Sequence, residues 1–275
     1  MLYVVTASSK FISYSRIDRY ARNAPILKNN ENLDKLVQYL VHPYSDDEEK
    51  ARVLLSWIVY NIDYDEFVYN RIEEYNAAKG TRRRLKNEIP QNDILEIRAG
   101  VCSDIAGLYE KMGRMAGLEV EVVNGNISGC GFDGLERGSC AHAWNVVKIR
   151  GKWEYVDPTW AMGYARELGD SASFKAYNKA LEKRKKGGRN YKPRREREIQ
   201  EEWFMTDKER MIQTHLANDE KWQLQKKKIT KAKFIGMDEG SYKAAKKSKE
   251  RAERRYQEIM ERKERRRQEI MDLGQ

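Results

Sequence analysis

The sequence predicts an α+β domain: a cysteine opens a helix, and that helix packs on an antiparallel sheet carrying a histidine and an aspartate. A charged C-terminal helix follows. Three observations predict it. Ile105, Leu108, Tyr109, Met112 and Met115 recur at helical spacing behind Cys102. Two alternating runs rich in strand formers, Ala141 to Ile149 and Trp153 to Val156, are separated by little more than Arg150-Gly151. Residues 242–272 are dominated by Lys, Arg, Glu, Gln and Ala, which suits a solvated helix held by Glu-to-Lys and Glu-to-Arg pairs.

The elements follow in order. Residues 1–44 read as an N-terminal helical extension, with a helix over Asn32 to Val41. Ser45 with Glu48 forms a capping-box pattern opening a helix from Asp46 to Tyr60, whose core face carries Val53, Leu54, Trp57 and Ile58. A charged insertion over residues 66–97 leads through Ile94 and Leu95 to Gly100, which allows a sharp turn into the Cys102 helix. Gly117 closes that helix. A strand over Glu119 to Val123 precedes a glycine-rich loop from Gly125 to Gly138, either a cleft wall or a connector.

Beyond the hairpin, a basic surface loop (about 181–201) contains Gly187-Gly188 and reads as mobile. Thr206 with Glu209 forms a second capping-box pattern, for a helix through Thr214. The tail, coiled-coil-like in composition, lacks the sustained heptad seam of a dimeric coiled coil. The predicted division is 1–44, a core over 45–240, and a tail over 241–275.

At 275 residues, 40% hydrophobic and 35% charged, the chain can bury one sizeable core with appendages. The net charge of +10 is uneven. Residues 179–198 hold ten Lys and Arg against three Glu, and residues 241–275 hold twelve against seven acidic residues. The remainder is slightly acidic, so the charge says nothing about the centre. No apolar run is long enough for a membrane-spanning helix, and no signal-peptide pattern is evident. The expected location is cytoplasmic, with secretion open if a leader was trimmed. Three cysteines offer no standard zinc spacing, so no metal or other cofactor is expected. Cys130 and Cys140 bracket the glycine-rich loop as a bridge or as two free thiols.

The chemistry rests on Cys102, His142 and Asp157. A cysteine at a helix N-terminus meets unpaired amides and a dipole that favour the thiolate, and those amides could hold an oxyanion. A lone cysteine, however, is more often buried and inert. If Arg150-Gly151 is a two-residue turn, Ile149 lies opposite Lys152 and Trp144 opposite Asp157. His142, Trp144 and Asp157 then share one face. His142 and Asp157 become diagonal neighbours with Cβ atoms about 7 Å apart, within reach of one hydrogen bond. Nucleophile, base and orienting carboxylate make the minimum set for acyl transfer through a thioester. Trp144 and Trp160 are candidates to wall the cleft, or only pack. His215 and His42 read as structural.

These residues resemble the transglutaminase-like superfamily, with a Cys-His-Asp triad on a papain-like scaffold. The resemblance covers roughly residues 45–235. It lies in the helix ending Trp57-Ile58-Val59-Tyr60-Asn61-Ile62-Asp63-Tyr64-Asp65, in Gly100-Val101-Cys102-Ser103-Asp104, in His142-Ala143-Trp144-Asn145 and in Asp157-Pro158-Thr159-Trp160. Trp203-Phe204-Met205, Met211 to His215 and Trp222-Gln223-Leu224 resemble the subgroup that includes kyphoscoliosis peptidase. The resemblance implies Cys102 as nucleophile, His142 as general base and acid, and Asp157 as orienting carboxylate. Tyr64 is implied more weakly, as an oxyanion-hole side chain or else a core tyrosine. Members crosslink glutamine to lysine, hydrolyse peptide or isopeptide bonds, or have lost the triad and only bind. The glycanases of the superfamily carry paired zinc-binding Cys-x-x-Cys motifs, which this chain lacks.

The expected activity is therefore cysteine-dependent acyl transfer on protein or peptide amides, as a peptidase or amidase. The alternatives are protein crosslinking and a non-catalytic interaction protein with basic contact arms. No recognised nucleic-acid module supports nucleic acid as a partner.

Overall fold

The computed structural model describes residues 14–24, 33–65, 94–95, 98–128, 139–163 and 195–236, isolated positions between 238 and 258, and only the backbone of Ser139 and Cys140. The charged insertion up to residue 93, the pairing of Cys130 with Cys140, residues 129–138, and the basic loop as far as residue 194 lie outside the described residues. Of the tail, the described positions from Glu239 to Glu258 are helical.

Three helices open the structure: α1 (Ser15–Arg22), α2 (Leu33–Val41) and α3 (Asp47–Asn61). The two short strands β1 (Asp63–Tyr64) and β2 (Ala99–Gly100) pair in parallel and deliver the chain to α4 (Cys102–Met115). The main sheet comprises β3 (Val120–Ser128), β4 (Ser139–Ile149), β5 (Lys152–Val156), β6 (Phe204–Thr206) and β7 (His215–Ala217). Its order is β6-β5-β4-β3-β7, antiparallel throughout. Short helices α5 (Pro158–Ala161), α6 (Lys208–Thr214) and α7 (Lys231–Phe234) and two 3-10 turns, Glu201–Trp203 and Glu220–Trp222, complete the described elements. The fold is α+β, as expected.

α3 is the central helix. Every residue from Ala51 to Asn61 is buried, not only the face predicted. A helix buried on all sides must be covered on all sides, and α1, α2 and α4 pack against it. Ile17, Ala21, Leu33, Leu36 and Leu40 join Leu54, Trp57, Ile105 and Leu108 in one core. The described helices of the N-terminal extension thus share the core of the domain.

Helix starts differ from the expected caps. Asp46, not Ser45, caps α3 by accepting from the Glu48 amide, and Asp207, not Thr206, caps α6 by accepting from Glu209 and Arg210. Glu48 instead takes hydrogen bonds from the Tyr14 hydroxyl at 2.6 Å and Arg150 at 2.9 Å. In both places an aspartate stands beside the Ser or Thr. A carboxylate at the positive end of a helix outcompetes a neutral hydroxyl.

β3 runs to Ser128, five residues past its predicted end, so Gly125 lies inside a strand. The predicted β4–β5 hairpin has the expected register, with Ile149 opposite Lys152 and Asn145 opposite Val156. Arg150 and Gly151 both hold positive φ, 49° and 77°, the signature of a two-residue hairpin turn that matches strand twist. Within the span expected to be a mobile loop, the described end is anchored. Arg197 donates to the Val59 and Ile62 carbonyls and to Asp63, and Glu201 binds the buried Arg52.

Candidate active site

Cys102 is the first residue of α4 and half-buried. Asp104 reaches back to accept from the Val101 amide at 3.1 Å, fixing the strand-to-helix turn. Asp104 and Ile105 amides both donate to the Val101 carbonyl, which leaves the Cys102 and Ser103 amides at the open end of the helix. Gly100 is needed here for space: its φ is not positive, but a Cβ would stand 2.9 Å from Cβ of Asp104.

β4 carries His142 and β5 runs directly into Asp157, the N-cap of α5. His142 Nε2 lies 2.7 Å from Asp157 Oδ2, and both residues are buried. Cys102 lies close enough to His142 to act on its imidazole. Asp157 Oδ1 accepts from the Trp160 amide at 3.0 Å, and its own amide donates to the Trp203 carbonyl. The carboxylate is thus fixed from both sides. The fold thus brings residues 102, 142 and 157 to one place, with the His142–Asp157 hydrogen bond at its centre.

A fourth group joins them. His215 Nε2 lies 3.1 Å from the same Asp157 Oδ2, and His215 Nδ1 lies 2.8 Å from the Thr214 hydroxyl. The register explains how it arrives. His142 stands opposite Gly125 on β3, and His215 opposite Ile127, two residues further along the same face. The strands β4 and β7 flank β3, yet the two imidazoles come within 5.4 Å between ring centroids. The missing side chain of Gly125 makes room for the Trp144 ring, which packs against His215. A Cβ there would meet the Trp144 ring at 2.4 Å and the Leu216 carbonyl at 2.3 Å. The sequence reading treated His215 as structural and Gly125 as loop. A glycine in register with a histidine inside a strand was the available signal, and it becomes visible only once the β3 register is known.

Electrostatics separates the two imidazoles. At His142 burial opposes the charged form, but Asp157 outweighs it, and with Cys102 close by the imidazole is pushed up to about 10. At His215 burial wins, and the group falls below the ordinary imidazole value despite Asp157. Burial also opposes ionisation of Asp157, yet His142 and then His215 hold it well below the usual carboxylate range. An ionised carboxylate only accepts, so each histidine presents a protonated Nε2 to it.

The remaining predicted residues are distributed unevenly. Trp144 is 1% exposed and packs edge-on to His215, so it belongs to the core and is not open to a cleft. Trp160 is half-buried and meets His142, His215 and Trp203 at centroid distances of 5.9, 4.5 and 4.5 Å. Tyr64 is half-buried and pairs with Gly100, two residues before Cys102. His42 has no place in this cluster. His142, Asp157 and His215 are the group among the described residues that offers three metal-ligand side chains together. Both Nε2 atoms converge on Oδ2 at 2.7 and 3.1 Å, hydrogen-bond contacts that occupy the carboxylate oxygen. No described helix is long and apolar enough to cross a membrane.

Among solved structures, the periplasmic domain of TgpA from Pseudomonas aeruginosa is similar at 18% identity and a TM-score of 0.35, covering 64% of this chain and 52% of that one. Human kyphoscoliosis peptidase is 26% identical over 215 residues, which is 78% of this chain and 27% of that protein. Hillarin from Drosophila melanogaster is 25% identical over 226 residues, 81% of this chain and 24% of that protein. The chain therefore spans about a quarter of the length of these curated relatives. Residues 34–158 match the transglutaminase-like superfamily. That transglutaminase-like region contains Cys102, His142 and Asp157.

Proposed function

We propose that the chain is a cysteine-dependent acyl-transfer enzyme that hydrolyses protein or peptide amides through a thioester. The observation that carries this reading is the buried 2.7 Å contact between His142 and Asp157, with Cys102 at the helix start close enough to act on the same imidazole. Cys102 attacks the amide carbonyl as a thiolate while His142 holds the thiol proton. The Cys102 amide, aided by Tyr64 from the neighbouring strand, stabilises the oxyanion. His142 then passes its proton to the leaving amine as the C–N bond breaks and the thioester forms. Water, deprotonated by His142, attacks the thioester carbonyl. The acid departs and the proton returns to sulfur. Asp157 orients the imidazole and balances its charge. Trp160 borders the substrate.

Crosslinking shares the first half of this sequence, with a lysine amine in place of water as acceptor. Incubation with casein and a labelled primary amine separates the outcomes. We expect peptide release that disappears in Cys102→Ala. Incorporation of the amine without peptide release would replace hydrolysis by crosslinking. Absence of both, with no labelling of Cys102 by a thiol-directed probe, would leave a binding protein.

A further inference from the structure

We infer that His215, with Thr214 behind it, is a positioning residue that keeps Asp157 ionised and aimed at His142. The inference rests on the reading of Cys102, His142 and Asp157 given above. It begins with hydrogen-bond accounting. Asp157 is buried completely, and an ionised carboxylate in such a place must have its lone pairs occupied. Oδ1 has the Trp160 amide, and Oδ2 has both histidines. Without His215, the oxygen that serves His142 would have no second donor. Its affinity for a proton would rise, and the carboxylate would be freer to rotate.

The protonation of His215 follows from its neighbours. Thr214 Oγ1 lies 2.8 Å from Nδ1 and 3.4 Å from the Met211 carbonyl, so its one hydrogen serves the nearer nitrogen. Nδ1 then accepts, and the ring proton sits on Nε2, facing Asp157. The titratable groups facing His215 are Asp157 and His142. Trp144, Trp160 and Trp203 surround the ring at 5.0, 4.5 and 5.4 Å and exclude water from it. A neutral imidazole suits this position. It donates one hydrogen bond to the carboxylate and adds no second cation to compete with His142 for it. The arrangement is a directed chain from Thr214 through His215 to Asp157, then to His142 and Cys102.

The test reads the chain at its far end, through the rate at which iodoacetamide alkylates Cys102 between pH 4 and pH 10. In the unaltered protein we expect alkylation faster than that of free cysteine, with a rate that rises through one midpoint. His215→Leu should move that midpoint upward by about one pH unit, as expected when a charged form loses a hydrogen bond. His215→Gln can donate from its amide nitrogen and accept from Thr214 through its oxygen, and should restore the midpoint. Thr214→Val should shift it in the same direction as His215→Leu, but less.

A purely structural histidine would lower the melting temperature and leave the midpoint in place, which would overturn the inference. So would a Gln variant no better than Leu. If His215→Leu fails to fold, Thr214→Val decides, and an unmoved midpoint there counts against the chain. Loss of rapid alkylation on treatment with EDTA would mark His142, Asp157 and His215 as a metal centre and also overturn it. If the unaltered protein reacts no faster than free cysteine, the catalytic reading itself fails, a result distinguishable from all of these.

Discussion

Two clusters of charge hold this domain, each built on a fully buried residue, and they handle charge in opposite ways. In one, Arg52 on α3 is fully buried and reaches both oxygens of Asp18 on α1 at 2.8 Å, with Ser56 adding a bond to the same carboxylate. Glu201 completes it from the 3-10 turn. In the other, His142 and His215 share one oxygen of Asp157. The first pairs a cation that keeps its proton at any working pH with two carboxylates. The second pairs one carboxylate with two groups that can each lose a proton. Permanent charge fastens elements together, whereas a titratable pair can move a proton during a reaction. The clusters meet at the turn Glu201–Trp203. Glu201 binds Arg52, while Trp203 packs on Trp160 and His215 and accepts from the Asp157 amide.

The largest expected effect breaks the titratable cluster. Asp157→Asn removes the charge that balances the His142 imidazolium and gives the two histidine donors a neutral partner. Turnover should fall on the order of a hundredfold or more, in the range lost with general acid–base function. Circular dichroism should show the fold retained. Equal loss of activity and folded protein would instead make Asp157 a structural anchor.

Breaking the permanent cluster should do the reverse. Arg52→Met strands Asp18, and an uncompensated buried charge costs about 3 kcal/mol or more. A denaturant melt should show that loss, while the folded fraction keeps its Cys102 alkylation rate.

How much of this could be read from the sequence differs between the clusters. The His142–Asp157 pair was legible because a two-residue turn and a period of two fix a hairpin register from local sequence. His215 was not legible: it arrives 58 residues after Asp157, on a three-residue strand too short to show any period. The Arg52 clamp was equally hidden, since Glu201 lies 149 residues away. The capping patterns misled for a different reason. Ser45 and Thr206 each fit a motif, but each is followed by an aspartate that makes the stronger cap. β3 was cut short because glycine weakens a strand locally. The space required by Trp144 overrides that preference.

The pH dependence of stability sharpens the contrast further. The His142 value is raised from about 6.5 in the unfolded chain to about 10. Its contribution is therefore complete below about pH 6.5 and disappears as pH rises through about 10. Melting temperature should fall between pH 7 and pH 10, and His142→Gln should flatten much of that slope. Arg52 adds no slope there, because it does not titrate. Above pH 10 the buried Tyr155, raised to about 12 by burial, begins its own loss, so the comparison belongs below that limit. A slope unchanged in His142→Gln would mean that the imidazole is neutral in the folded protein.

The smallest effect tests whether burial, not the pairing itself, gives Arg52 its importance. Arg150 has the same partnership as Arg52, one guanidinium with two carboxylates, binding Asp46 at 3.1 Å and Glu48 at 2.9 Å. The difference is solvent. The Arg150 side chain is 60% exposed and that of Arg52 is 0% exposed. Exposed pairs gain little, because water solvates the separated ions nearly as well and salt screens them. Arg150 also holds φ 49° in the hairpin turn, where asparagine is tolerated better than arginine. Arg150→Asn thus loses an exposed pair with Asp46 and a pair with the buried Glu48, which keeps the Tyr14 hydroxyl, and gains a better turn residue; its melting temperature should fall less than that of Arg52→Met. A drop rivalling that of Arg52→Met would show that the hairpin is clamped to the start of α3 by charge, and that the two arginines differ in place but not in kind.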